Sequence, residues 1–77
     1  MSPDEVKQTI ESTFTPYRCQ AILINHDEGI KFRIYDKDNI KIAECEELDI
    51  SRIDESHLNS VLQTYKVQLE ANGFKLD

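Results

Sequence analysis

Three short runs of alternating apolar and polar residues lie between two segments whose apolar residues recur at helical spacing. Together they take up nearly all of a 77-residue chain. The implied order is helix–strand–strand–strand–helix, and it constrains the fold more than any other feature. It predicts a single small α+β domain over residues 1–77, with no length to spare for a long active-site loop or a cofactor cradle. The expected architecture is a three-stranded antiparallel meander with both helices packed mainly on one face.

The first helix has a clear start. Ser2 is placed to cap it, Pro3 suits the first helical position, and Glu5 completes a capping box. Val6, Ile10 and Phe14 form its apolar stripe, and Pro16 predicts a stop near Thr13 or Phe14. From Tyr17 to Ile24 the chain is rich in β-formers, with apolar groups at both parities, so this strand alone does not decide which face is buried. Asn25–Gly29 reads as a turn in which Gly29 is free to take positive φ. Ile30, Phe32 and Ile34 then alternate with Lys31, Arg33 and Tyr35, the pattern of a half-buried strand.

Two registers compete at the second turn, Asp36–Asn39. A tight Asp38-Asn39 turn sets Ala43 and Cys45 opposite Ile34 and Phe32. A three-residue loop sets Ile42 opposite Ile34 and Glu44 opposite Phe32, which aims a carboxylate at the core. The first is therefore preferred, and it turns Ile40 and Ile42 outward beside Tyr35. An acidic connection follows, punctuated by Leu48, Ile50 and Ile53 as anchors. The last helix is expected from Asp54 to about Asn72, with Leu58, Val61, Leu62, Tyr65 and Leu69 as its buried stripe. Asn72-Gly73 is its stop, and Phe74 folds back over the last turn.

The net charge of -6, with 31% charged residues, disfavours a phosphate backbone or an anionic membrane as partner. The element order matches the double-stranded RNA-binding domain, and Lys31, Arg33 and Lys41 with Tyr35 offer an outer-face alternative for nucleic acid. The second helix opens with Asp54-Glu55, however, where that module needs cations. Cys19, Cys45, His26 and His57 lack the short spacings of a metal site, and no cofactor is expected. Asp36-x-Asp38 opens like a calcium loop but continues with Ile40 and Lys41 where a ligand and the turn glycine belong. No phosphate loop, zinc-protease or nucleophile-elbow motif is present, so the expectation is a non-enzymatic domain.

Association is the reading these residues favour. A sheet with both helices on one face leaves the other open, and Lys31, Arg33, Tyr35, Ile40 and Ile42 are the candidate interaction face. Neither outer strand contains an internal proline, so both edges are expected to be unprotected. A homodimer, or another protein as partner, follows from this and from the thin core of so short a chain. The start Met1-Ser2-Pro3-Asp4-Glu5 is not that of a signal peptide, and no apolar run is long enough for a membrane span, so a cytoplasmic location is expected.

Ile10-Glu11-Ser12-x-Phe14-x-Pro16-x-x-Cys19 is the most distinctive run. With Asp27-x-Gly29, Ile34-Tyr35-Asp36 and a closing helix ending in Leu69, it resembles a family of short uncharacterised bacterial proteins, a domain of unknown function familiar from pseudomonads and their relatives. The likeness spans Val6 to Leu69. After the second strand this chain departs from the family pattern, with a shorter turn and a heavier acidic run. The family carries no assigned activity, ligand or catalytic residue. The resemblance implies a compact single domain in a bacterial cytoplasm and nothing about chemistry.

Overall fold

Capping begins the first helix as its sequence requires. In the computed structural model, which describes residues 1–76, α1 spans Pro3–Thr13. The Glu5 N–H donates to Ser2 Oγ at 3.2 Å, and the Ser2 N–H donates to Glu5 Oε1 at 3.1 Å. Phe14 is the C-cap, and Pro16, after a cis bond from Thr15, leads into the sheet. The strands are β1 (Arg18–Ile24), β2 (Gly29–Tyr35) and β3 (Lys41–Asp49), paired antiparallel in the order β1-β2-β3. Helix α2 spans Glu55–Ala71, with the His57 N–H donating to the Asp54 cap at 2.7 Å. The α+β meander expected from the pattern is the fold.

Pairing with β2 settles the parity that β1 left open. Cys19, Ala21 and Leu23 pair with Ile34, Phe32 and Ile30, and this row faces the helices. Phe32, in the middle of the central strand, lies between the two helices. Its ring centroid is 6.1 Å from Phe14 at the end of α1 and 5.2 Å from Tyr65 on α2. Val6, Ile10, Phe14, Leu58, Leu62 and Leu69 close the core around it, and Ile50 and Ile53 anchor the acidic connection as expected.

The two candidate registers are both partly present. Asp36 pairs with Ile40 across Lys37–Asn39, because the Asp36 carboxylate accepts the Asp38 and Ile40 N–H groups at 2.9 and 3.0 Å. That is the three-residue loop. Yet Phe32 is opposite Cys45 and Ile34 is opposite Ala43, the pairing of the tight turn. An irregularity between Ile34 and Tyr35 reconciles them: Tyr35 pairs with Lys41, so Ile42 is the extra residue of a β-bulge. A second bulge sets Glu46 and Glu47 against Lys31 alone. Each bulge resets the parity of β3, so that Ala43, Cys45 and Leu48 all pack towards the core although their spacing is not strictly alternate.

Three expectations change. Gly29 does not adopt positive φ; the β1–β2 turn puts Asn25, His26 and Asp27 there, at 54°, 56° and 68°. A Cβ at Gly29 would instead be tight, 3.2 Å from Ile24 Cγ1 and 3.3 Å from Asn25 Nδ2, so that these side chains would have to shift to admit one. Ile42 is half-buried against the core rather than turned out with Ile40. The sheet edges are not bare: β3 is bulged twice and carries Glu46 and Glu47, and on β1 the Ala21 N–H donates to Glu11 Oε2 at 3.3 Å.

The C-terminus of α2 is a Schellman motif. Phe74 N–H reaches Leu69 O at 3.0 Å and Gly73 N–H reaches Glu70 O at 3.0 Å, with Gly73 at φ +93°. The Phe74 ring meets the edge of Tyr17 at 5.7 Å, and Tyr17 Oη accepts the Lys75 N–H at 3.1 Å. This ties the tail to the α1–β1 junction. A Cβ at Gly73 would touch nothing within 4 Å, so the cost of adding one lies in the backbone alone. Gly73→Ala is expected to lower stability by about 1 kcal/mol in urea unfolding, and Gly73→Asn by less.

Candidate functional site: the outer face of the sheet

Packing both helices over Phe32 commits the opposite face of the sheet to solvent. Register fixes its rows. Gln20, Arg33 and Glu44 lie side by side across the three strands, as do Arg18, Tyr35 and Lys41. Ile22 pairs with Lys31, which faces the Glu46–Glu47 bulge. Gln20, Ile22, Lys31, Arg33, Glu44 and Glu46 line a shallow depression of about 240 Å³. At the centre of the face Lys31 and Arg33 of β2 stand beside Glu44 and Glu46 of β3 and the uncharged Gln20 and Ile22 of β1, while Arg18 of β1 and Lys41 of β3 add cations at the end next to the β2–β3 turn.

Glu44 organises this face. Its Oε2 accepts Arg33 Nε at 2.7 Å and its Oε1 accepts Lys41 Nζ at 3.2 Å. The Arg33 guanidinium and then the Lys41 ammonium hold the Glu44 carboxyl below its ordinary range. Glu44 in turn raises the Arg33 pKa. Pairs this exposed contribute little to stability; their effect is to fix where the charges stand. At the neighbouring corner the Arg18 guanidinium lies 4.5 Å over the Tyr35 ring and donates to Asn39 Oδ1, so Tyr35 is covered rather than presented.

The candidate face is therefore only partly one surface. Lys31 and Arg33 share it with the base of Tyr35, and Lys41 joins through Glu44. Ile40, 59% exposed, stands at the turn, while Ile42 belongs with the core. Ile22, 46% exposed, is an aliphatic group on the β1 side of the face. Arg18, Gln20, Glu44 and Glu46 were not singled out from the sequence. The signal was present: once Phe32 fixes β2 and Cys45 pairs with it, Glu44 must stand beside Arg33 on the opposite face.

The cysteines stand apart from this face. Both are free and buried, on strands separated by β2. Burial, and after it the Glu11 charge, pushes the Cys19 thiol up to about 12, which leaves no thiolate at neutral pH. Burial and the neighbouring Cys45 thiol push Tyr65 up to about 12 as well. Among the described residues no group of three His, Cys, Asp or Glu side chains is placed to hold a metal ion, and no helix is long and apolar enough to cross a membrane. No protein-family model, curated protein or solved structure matches the chain.

Glu5 and Asp49 are lowered like Glu44, by hydrogen bonds from Ser2 and Ser51 respectively. A carboxyl with a depressed folded pKa contributes stability above its unfolded pKa and loses it as pH falls through the folded value. Acidification below the ordinary carboxylate range is thus expected to destabilise the domain. Urea midpoints measured across the acid range should fall less steeply in Glu5→Gln, which keeps a capping-box acceptor without a titrating carboxyl, than in the wild type.

Proposed function

We propose that this is a non-enzymatic protein-interaction or regulatory domain of the cytoplasm that works as a two-fold homodimer through its outer sheet face. The observation that supports the reading is the juxtaposition of opposite charges at the centre of that face, with Lys31 and Arg33 on β2 beside Glu44 and Glu46 on β3. A face with opposite charges side by side is self-complementary. A two-fold axis running between β2 and β3 sets the cations of each copy opposite the carboxylates of the other. Ile22 supplies apolar area beside these charges, and the bulges that blunt β3 favour face packing over edge pairing.

The same geometry supports nucleic acid less well. Glu44 occupies two of the cations that would meet phosphate, Arg33 and Lys41, and Arg18 covers Tyr35. Removing those partners would add to the cost of binding a polyanion to a chain of net charge -6.

Light scattering of the wild type should give twice the 9.0 kDa chain mass. Arg33→Glu should return it to the monomer, and Arg33→Glu combined with Glu44→Arg, which exchanges the two members of the central pair, should restore the dimer. A monomeric wild type, or a double variant no better than the single one, would refute the dimer. Salt-sensitive binding of RNA or DNA in a low-salt shift assay, weakened by Arg33→Glu, would make the nucleic-acid reading the better one.

A further inference from the structure

Strand β1 carries a hazard that the structure meets with one side chain. From Cys19 to Ile24 the sequence Cys-Gln-Ala-Ile-Leu-Ile has no charge, glycine or proline. Short uncharged segments of high β-propensity at a sheet edge recruit further strands. β1 is such an edge. In an antiparallel ladder every second residue of an edge strand points its N–H away from its neighbour. Ala21, midway along the segment, is one of these: its N–H donates to Glu11 Oε2 at 3.3 Å, a part-buried bond between residues ten apart in sequence. The carboxylate stands where the carbonyl of an added strand would stand.

We infer that Glu11 closes the β1 edge against strand addition, and that the strand it excludes is β1 of a second copy. The identity of the excluded strand follows from charge. Copies of an acidic chain repel one another over most of their surface, and this segment has no charge to oppose approach. Its mixed parity also suits self-pairing, since Ala21 is 3% exposed on the helix side while Ile22 is 46% exposed on the other. The carboxylate's influence on the Cys19 thiol agrees with its position beside this edge. The inference concerns the edge and not the outer face, so it stands or falls apart from the homodimer proposed above.

The test reads Ala21 amide exchange by NMR and the solution mass at high protein concentration, in the wild type, Glu11→Ala and Glu11→Gln. In the wild type, Ala21 should be protected although it lies on an edge. Glu11→Ala should speed its exchange by about tenfold, the equivalent of one charge-assisted hydrogen bond, and should form species larger than the wild type. Glu11→Gln keeps an acceptor and should remain near the wild type in both. An unprotected Ala21 amide in the wild type would overturn the inference without any variant. So would a Glu11→Ala protein with wild-type exchange and mass, or Glu11→Gln associating as fully as Glu11→Ala.

Discussion

The Phe32 ring, held between Phe14 and Tyr65, is the interaction on which the rest of the molecule depends. It projects from the centre of the middle strand and meets the end of one helix at 6.1 Å and the middle of the other at 5.2 Å. Aromatic groups in such offset and edge-on arrangements contribute beyond their buried area. A small domain has few places where three elements meet, and here one side chain joins three. Because Phe32 faces the helices, Arg33 and Lys31 must face away. The same constraint that builds the core therefore lays out the charged outer face.

Much of this could be read in the residues. Ser2, Pro3 and Glu5 mark one helix start, and Asn72-Gly73-Phe74 one helix end, because caps and stops are local chemistry. Ile30, Phe32 and Ile34 alternate without ambiguity, so β2 was legible, and the pairing of Phe32 with Cys45 followed from keeping Glu44 out of the core. The bulges were not legible. Ile40, Ile42, Ala43 and Cys45 place apolar groups at both parities, and only the packed structure decides that Ile42 is the extra residue. The β1–β2 turn misled for a related reason: its only glycine packs closely beside Ile24, and the positive φ values fall on Asn25, His26 and Asp27.

The outer face was half legible. Lys31, Arg33 and Tyr35 follow from the parity of β2, but their partners come from other strands and depend on register. Arg18 over Tyr35 and Glu44 between Arg33 and Lys41 are tertiary facts. Glu11 shows the limit most plainly. In sequence it is one acid among many on a helix; in the structure it meets an edge amide on another element. The protection of β1 therefore has no signature such as an internal proline, and the edge looked open.

The most direct test of the central claim is a double-mutant cycle between the helices, with Phe14→Leu and Tyr65→Leu measured singly and together by urea unfolding. If Phe32 couples α1 to α2, their effects should depart from additivity by about 0.5 kcal/mol or more, and the departure should vanish in a Phe32→Leu background. Additivity to within about 0.3 kcal/mol in the wild-type background would contradict the claim, because the two helices would then pack on the sheet independently.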